Sequence, residues 1–379
     1  MTSIPMINFF DIQTQKEKIR KMVEKRFSDI LNHGKFIMGP EVYELEEKLA
    51  DYTGVKNVIS CSSGTDAILI PLLAMGVGPG DAVFTTPFTY VATVEVISII
   101  GATPVFVDVY GSTFNIDCEK LEEEIQKVIK EGKLTPKAII PVDLFGMPAR
   151  YRKIQLLANK FNLKVIEDAA QSFGGSIRNQ KTCSFGDVAA TSFYPTKPLS
   201  CYGDGGAIFT NDDQLAEICR ALRIHGTTKD KYHSELIGLN GRLDSIQAAV
   251  LLEKLEIFEE ELEQRRNIEL NYRNNLNNVQ YHPKGYSSAN ALFTLRLNSK
   301  EKRNKLQEFL ASFQIPTAVY YKYPVHLMAA YRYLGYSKGD FPISESLCSE
   351  VLSIPMHPYL IESEVSFIIE KIQFFDSLK

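Results

Sequence analysis

The sequence of 379 residues contains no tryptophan, only six histidines and six cysteines, and no excess of positive charge. The cysteines are scattered without a C-x-x-C pair, so they predict neither a disulfide framework nor a zinc knuckle. The histidines show no spacing typical of metal ligands, and we therefore expect no metal site. A net charge of -4 gives no electrostatic reason to expect nucleic acid or an anionic membrane as the main partner.

The sequence also has no long apolar run. Its most apolar stretches are short or broken by glycine and proline, well below the ~20 residues that a membrane-spanning helix needs. The first residues show no basic stretch followed by an apolar core and a cleavage site, as a secretory signal peptide would. No G-x-G-x-x-G opens a helix after a strand, which disfavours a NAD site. We therefore expect a cytoplasmic protein with reduced thiols.

Seven short β-branched runs between residues 57 and 210 alternate with helical patterns, which predicts a mainly parallel sheet covered on both faces. The runs are 57–61, 82–86, 103–109, 137–142, 164–168, 188–194 and 206–210. After residue 242 the pattern predicts a long amphipathic helix, then a strand at 291–297, a helix at 301–313, a short strand at 317–320 and a last helix at 362–375. The sequence thus predicts a large α/β domain over 1–245, with an N-terminal helical segment, and a small α/β domain over 246–379.

Ligands of an open α/β sheet bind beyond the carboxyl ends of the parallel strands, so the residues after each run are the first candidates. Residues 62–64 lead from a strand into a helix start, where N–H groups and the helix dipole favour an anion, although plain N-capping explains the same residues. Glu167 and Asp168 end an apolar strand. At least one of these carboxylates is expected at the mouth of the sheet with limited water, and an ordinary turn acid is the alternative.

Lys197 follows the run at 188–194 and lies between Pro195 and Pro198, with three glycines within the next nine residues. Most lysines are exposed, but two prolines restrain this one, and the glycines leave room for a cofactor, a substrate or a neighbouring subunit. A restrained lysine, a carboxylate and an anion-binding helix start match the needs of pyridoxal phosphate (PLP). That cofactor requires an amine for its aldehyde, an acid for its pyridinium nitrogen and a cradle for its phosphate.

Four stretches of the sequence resemble the DegT/StrS family of PLP-dependent nucleotide-sugar aminotransferases. They are EDAAQSFGG (167–175), TSFYPTK (191–197), GDGGAIFTND (203–212) and LNGRLDSIQAA (239–249), and the resemblance extends from GPEVYELEEKLADYTG (39–54) to SIPMHPYL (353–360). It implies the α/β fold of aspartate aminotransferase (fold type I), with a mostly parallel seven-stranded sheet and a small C-terminal α/β domain. It also implies that L-glutamate converts PLP to pyridoxamine phosphate, and that a keto sugar on a nucleoside diphosphate then takes the amine.

The resemblance assigns cofactor roles to individual residues. Lys197 is implied to bind the PLP aldehyde and to serve as the catalytic acid and base. Asp168 is implied to hold the pyridine nitrogen protonated through a charge-assisted hydrogen bond. The other implied contacts are Gln171 near the ring, Tyr90 stacked on its face, and Gly64, Thr65 and Ser192 at the phosphate.

The resemblance also implies a partner and a set of substrate contacts. Asn240 is implied to reach the cofactor phosphate of a neighbouring subunit, so an obligate homodimer with shared active sites is expected. The implied substrate-binding residues are Arg223, His225, Arg242, Tyr320 and Tyr321. From its residue type alone, His225 reads equally well as an ordinary loop histidine.

Within the family, the sequence reads most like the branch that aminates carbon 3 of UDP-2-acetamido-2-deoxy-3-oxo-D-glucuronate. It departs from that branch in TAVYYKYP (317–324), where Tyr320 stands in place of a histidine near the sugar. A histidine can pair with a carboxylate as a cation, whereas a tyrosine offers a neutral hydrogen bond roughly half as strong. UDP-3-oxo-N-acetylglucosamine, which lacks that carboxylate, is therefore the second candidate substrate, and a dTDP-linked 3-oxo-6-deoxyhexose is the third.

Two other classes of protein remain as alternatives. PLP-dependent sugar dehydratases on the same fold carry a histidine in place of the lysine, so Lys197 argues against that class. A non-catalytic nucleotide-sugar binder would be unaffected by replacing Lys197, whereas the enzyme would lose its turnover and the visible absorbance of its cofactor.

Overall fold

The computed structural model describes residues 7–228, 230 and 232–378. The strands of its first half are β1 (Asn57–Cys61), β2 (Asp81–Thr85), β3 (Thr103–Phe106), β4 (Thr135–Ile139), β5 (Lys164–Asp168), β6 (Ser176–Ile177), β7 (Gln180–Lys181), β8 (Val188–Ser192) and β9 (Gly206–Thr210). All except the short β6 and β7 form one sheet in the order β1-β9-β8-β5-β4-β2-β3. Strand β9 is antiparallel to both neighbours and the other pairs are parallel, which confirms the predicted seven-stranded, mostly parallel sheet.

The helices of this part are α1 (Ile12–His33), α2 (Pro40–Thr53), α3 (Gly64–Ala74), α4 (Ala92–Ile99), α5 (Cys118–Glu131), α6 (Tyr151–Phe161), α7 (Asp213–Leu222) and α8 (Ser245–Asn275). Successive strand residues point to opposite faces of the sheet. Ile59 and Ile208 therefore pack with α3, α4 and α7 on one face, while Val58 and Phe209 pack with α2 and α8 on the other. Helices α5 and α6 cover the remaining strands on the second face.

The C-terminal part contains β10 (Tyr286–Ser287), β11 (Phe293–Arg296), β12 (Val351–Ile354), α9 (Lys300–Ser312), α10 (Pro342–Glu350) and α11 (Glu362–Ser377). Short 3-10 helices occur at Leu144–Gly146, Val325–Leu327 and Ala329–Leu334. Strands β11 and β12 pair in antiparallel fashion and pack against α9 and α11. This arrangement confirms a small C-terminal α/β unit.

One predicted strand is wrong. Residues 317–320 form no strand, and Ala318 makes only an isolated bridge to Ser353 of β12. The boundary at 245/246 stays a prediction, because α8 contributes Leu251 to the core beneath the large sheet and Tyr272 to the core of the C-terminal unit.

Among the described residues, no helix combines the length and the apolar composition that a membrane crossing requires. All six cysteines are free and buried. Strands β1, β5 and β8 run in the same direction, so their carboxyl ends meet at one edge of the sheet. That edge is where an open α/β sheet binds its ligands.

Candidate active site

A cavity of about 590 Å³ lies at the carboxyl ends of β1, β5 and β8. Most of the residues predicted from the sequence line it. They are Gly64, Thr65, Tyr90, Asp168, Gln171, Ser192, Lys197, Tyr320 and Tyr321. The fold therefore brings together side chains that lie more than 250 positions apart in the sequence.

Lys197 and Asp168 form an amine–carboxylate pair in this cavity. Burial lowers the pKa of the Lys197 amine, and the negative charge of Asp168 opposes that shift. Burial raises the pKa of Asp168, while hydrogen bonds from Thr93 and Ala170 and the charge of Lys197 hold it down. Each group therefore favours the charged form of the other in a site with little water.

The orientation of Asp168 is fixed by neighbours on two elements. The Thr93 hydroxyl at the start of α4 donates to Asp168 Oδ2 at 2.8 Å, and the Ala170 amide donates to Oδ1 at 3.2 Å. Thr93 in turn lies 3.0 Å from the Thr89 hydroxyl. The second carboxylate of the strand, Glu167, points to the other face and accepts hydrogen bonds from backbone amides at 183 and 185. Asp168 is therefore the carboxylate predicted at the mouth of the sheet.

The start of α3 forms the opposite wall. Ser63 caps this helix, and its hydroxyl accepts a hydrogen bond from the Asp66 amide at 3.1 Å. The first N–H groups of a helix have no partners within it, and together with the helix dipole they give the helix start a partial positive charge. Gly64 lies so close to β8 that a Cβ there would meet Ser192 Cβ at 2.6 Å. The capping function considered from the sequence is present, and the same helix start borders the cavity.

Gln171 and Tyr321 form a third side of the cavity. The Phe145 amide donates to Gln171 Oε1 at 2.7 Å, which leaves the Gln171 amide nitrogen to donate to the Tyr321 hydroxyl at 2.8 Å. Burial raises the pKa of Tyr321 far above its usual value. Tyr321 is therefore a neutral hydroxyl held in place by Gln171.

The glycines after Lys197 mainly serve contacts within the protein. A Cβ at Gly206 would lie 2.3 Å from the Ser63 carbonyl oxygen, and a Cβ at Gly203 would lie 2.9 Å from the Gln247 side chain. Gly205 does line the cavity. Gly203 and Gly206 do not line the cavity of this chain, and room for a neighbouring subunit beside them stays a prediction.

Four predicted residues do not line the cavity of the chain that carries Lys197. His225 and Asn240 are exposed, and Arg242 donates to Asn240 Oδ1 at 2.6 Å. Arg223 is 4% exposed and donates to Glu46 and to the Ser60 carbonyl oxygen. Nη1 of its guanidinium is thus engaged in a buried ion pair within the chain, and the predicted role of Arg223 as a substrate contact stays a prediction.

The structure also adds wall residues that the sequence did not single out. Thr93 belongs to the PFTYVAT stretch (87–93), in which Tyr90 alone was predicted as a site residue. Phe10, Tyr194 and Asp204 also line the cavity. Nothing in the sequence indicated that Phe10 would line this cavity, because Phe10 lies almost 50 residues before the first strand.

The cavity fits PLP. It presents a buried amine with a lowered pKa, a carboxylate held by two donors, and a helix start edged by Ser63 and Ser192. These groups correspond to the aldehyde, the pyridine nitrogen and the phosphate of the cofactor. The described residues contain no cluster of three side chains able to hold a metal ion.

Comparison with curated proteins finds relatives along nearly the whole chain. The UDP-2-acetamido-2-deoxy-3-oxo-D-glucuronate aminotransferase of Pseudomonas aeruginosa is 43% identical over 96% of this chain and 98% of its own. The UDP-N-acetyl-3-dehydro-alpha-D-glucosamine 3-aminotransferase of Acidithiobacillus ferrooxidans is 36% identical over 97% of this chain and 96% of its own.

Solved structures share the fold. A DegT DnrJ EryC1 StrS aminotransferase from Brucella abortus is 47% identical, with a TM-score of 0.92 over 97% of this chain and 99% of that one. NtdA from Bacillus subtilis, solved with bound pyridoxamine phosphate, is 27% identical, with a TM-score of 0.88 over 100% of this chain and 86% of that one. These matches confirm the predicted fold and the predicted cofactor.

Residues 17–373 match the family described as the DegT/DnrJ/EryC1/StrS aminotransferase family. The chain therefore belongs to this family and is a PLP-dependent aminotransferase.

Proposed function

We propose that this enzyme transfers the amino group of L-glutamate to carbon 3 of a UDP-linked 3-oxo sugar, and that the sugar is UDP-2-acetamido-2-deoxy-3-oxo-D-glucuronate. The observation that carries the proposal is the buried pair of Lys197 and Asp168 beside the start of α3. The choice of sugar is supported by the similarity to the Pseudomonas enzyme along nearly the whole chain.

When bound, PLP supplies an aldehyde that accepts the amino group and a ring that spreads negative charge from the reacting carbon. Lys197 Nζ takes the proton from the α-carbon of glutamate, and in the second half of the reaction it delivers a proton to C3 of the sugar. Its lowered pKa suits this work, because a general base is most effective when its pKa is near the operating pH. Asp168, held by Thr93, would pair with the pyridine nitrogen.

The remaining cavity residues hold the reactants in place. The start of α3, with Gly64 and Thr65, and the facing Ser192 would bind the phosphate of the cofactor. Gln171 would lie at the ring, and Tyr90, which also lines the cavity, would stack on it. Positioning of this kind supplies much of the rate gain of an enzyme.

We also propose a homodimer in which each cavity is completed by the second copy. His225, Asn240 and Arg242 lie in the segment between α7 and α8, where His225 and Asn240 are exposed. Ile237 in this segment is 95% exposed and Leu236 is 40% exposed. Neighbouring exposed apolar side chains are typical of a contact surface. A second copy covering this segment would bury them and bring Asn240 and Arg242 to a cavity.

We place the reaction in the cytoplasm. All six cysteines are free thiols, and proteins of oxidising compartments commonly join theirs as disulfides.

A second candidate substrate, UDP-3-oxo-N-acetylglucosamine, is favoured by the charge of the cavity. Among the described residues, Lys197 is the one basic side chain that lines it. Tyr320, which stands where a histidine was expected, is half-buried, and burial raises its pKa. It is therefore neutral and gives a carboxylate no cation. A uronate would then have to pair with Arg242 or His225 from the second copy.

The reverse half-reaction distinguishes the two sugars, because the 3-amino products are stable whereas the 3-oxo sugars are not. The PLP form is mixed with UDP-linked 3-amino-N-acetylglucosamine and, separately, with the corresponding 3-amino glucuronate, and the loss of visible cofactor absorbance is timed. Faster loss with the glucuronate supports the main proposal. Faster loss with the neutral sugar establishes the second candidate, and no loss with either overturns both and leaves the dTDP-linked 3-oxo-6-deoxyhexose to test.

The Lys197→Ala variant is the control for the chemistry. It should lose the visible band of the bound cofactor, and its turnover should fall by ~10²- to 10⁴-fold because a general acid–base group is removed. A variant that still turned over at the wild-type rate would exclude the role of Lys197.

A further inference from the structure

The segment before α1 runs along the wall of the cavity. We call residues 7–11 the strap. Ile7 is buried in the core of the C-terminal unit, and Asp11 caps α1 by accepting from the Thr14 amide at 2.9 Å. The strap is thus fixed at both ends, and Phe10 between them lines the cavity.

His357 fastens the middle of the strap. Its Nε2 donates to the Asn8 carbonyl oxygen at 3.1 Å, two residues before Phe10. His357 is 4% exposed, and burial, reinforced by Arg265, lowers its pKa to about 4. The ring is therefore neutral at pH 7, with its proton on the nitrogen that faces Asn8. The stretch SIPMHPYL (353–360) thus carries a residue that contacts the strap.

Phe10 separates two cavities. Together with Thr196 and Lys197, it lines the reaction cavity and also a smaller cavity next to it. The smaller cavity is bordered by Arg265 and His357. Phe10 and the catalytic lysine therefore lie between the two cavities.

The strap also contacts Tyr320. The Phe9 ring lies 4.8 Å from the Phe10 ring and 6.4 Å from the Tyr320 ring, measured between centroids. Phe9 thus packs with both rings, and Phe10 and Tyr320 are the two of the three that line the cavity holding Lys197. A hexose ring has apolar C–H faces that can pack on such aromatic rings, whereas glutamate is an open chain with two carboxylates.

We propose that Phe10 is a specificity-determining residue that packs on the sugar ring of the nucleotide sugar, and that His357 is a positioning residue that holds the strap in place for it. This inference rests on the proposed function. It predicts that the strap contributes to sugar binding and little to glutamate binding, although both substrates react at the same lysine.

The first test uses Phe10→Ala in the PLP-loaded enzyme. Its apparent affinity for the UDP-linked 3-amino sugar that reacts with the wild type should weaken roughly tenfold, as expected when the contact of an aromatic ring is lost. The rate and half-saturation with L-glutamate should stay within about twofold of wild type. Phe374→Ala, which removes a half-exposed phenyl group on α11, is the matched control. Unchanged sugar affinity, or equal weakening toward glutamate, would overturn the proposal.

The second test separates positioning from folding. His357→Leu removes the donor to Asn8, whereas His357→Gln keeps an N–H group there. We expect the leucine variant to weaken sugar affinity as Phe10→Ala does, and the glutamine variant to restore most of it. Amide hydrogen exchange without substrate should be faster at residues 8–11 in the leucine variant only. Faster exchange with wild-type sugar affinity would refute the positioning role.

The controls also separate this inference from the proposed function. If neither 3-amino sugar removes the cofactor absorbance of the wild type, then the proposed function fails, and Phe10 as a sugar contact fails with it. The exchange experiment would still show whether His357 holds the strap. If the wild type reacts and Phe10→Ala reacts equally well, only the inference fails.

Discussion

Arg223 and Glu46 form a buried ion pair beside β1. Arg223 Nη1 donates to Glu46 Oε1 at 2.6 Å and to the Ser60 carbonyl oxygen at 2.8 Å. The same carboxylate oxygen accepts from the Ser60 amide and hydroxyl at 2.9 and 2.8 Å. The pair thus joins α2, β1 and the end of α7. Removing one partner destabilises the fold, because the charge of the other partner then stays buried without a counter-charge.

Replacing Arg223 with methionine should therefore affect stability and not substrate binding. We expect the free energy of unfolding to fall by about 3 kcal/mol, measured by urea denaturation. The half-saturating concentrations of glutamate and nucleotide sugar should be unchanged. The double variant with Glu46→Gln should recover part of the loss, because the unpaired carboxylate is removed. Weaker sugar binding at wild-type stability would instead indicate that Arg223 contacts the substrate.

Individual site residues were predictable to different degrees. Lys197 and Asp168 follow strand ends, and parallel strand ends converge, so their meeting followed from the pattern. Thr93 was not identified, because its partner Asp168 lies 75 residues away and a threonine in a helix start looks like many others. The ion pair of Arg223 with Glu46 was not predicted, because the sequence does not show which way an arginine points.

The start of α3 and strand β9 approach each other more closely than side chains would allow. A Cβ at Gly206 would lie 2.3 Å from the Ser63 carbonyl oxygen and 2.8 Å from the Gly64 nitrogen. Both contacts are backbone atoms, which cannot turn aside. The position of the helix that would bind phosphate therefore depends on a residue without a side chain in the neighbouring strand.

Gly206→Ala should push the start of α3 away from β9. We expect the cofactor to bind at least tenfold more weakly, since the N–H groups that face its phosphate are displaced. Equilibrium dialysis of PLP against the variant measures this directly. Gly203→Ala is the control, because its added methyl group would meet the Gln247 side chain, which can rotate. Equal cofactor affinity in both variants would contradict the account.

The elements of the sheet were predicted well and those of the C-terminal unit less so. The seven strand runs alternate with helices, and such alternation is compatible with few ways of arranging the strands in a sheet. Residues 317–320 have strand composition and lie beside β12, but only Ala318 bridges to it, at Ser353, so the pairing stays too short for a strand. Strand formation depends on packing as well as on residue type.

Helix α8 ties the two parts of the chain together. Its first half packs on α1 and α2, and its second half contributes Tyr272 to the C-terminal core. The loop 225–242 immediately precedes this helix, and Asp244, which follows the loop, bridges to Ile37. In the proposed dimer, Asn240 and Arg242 would be presented to the second copy from the segment next to this helix, a placement that the amino-acid pattern of one chain does not reveal.

If each active site combines Lys197 of one subunit with Asn240 of the other, two inactive variants should complement each other. Lys197→Ala removes the amine, and Asn240→Asp places a negative charge at the implied phosphate contact. Coexpression with two different tags allows the heterodimer to be purified. One of its two cavities then has both lesions and the other has none, so about half of the wild-type activity should return.

The same heterodimer gives the opposite result if Asn240 acts within its own chain, since both cavities would then carry one lesion and no activity would return. A heterodimer of Lys197→Ala with wild-type chain, which should show about half of the wild-type activity in either case, calibrates the measurement.

Charge substitution of Ile237, 95% exposed in the single chain, tests the same interface by sedimentation. Because an aspartate there would be buried unpaired in the dimer, Ile237→Asp should shift the protein to monomers that lack activity.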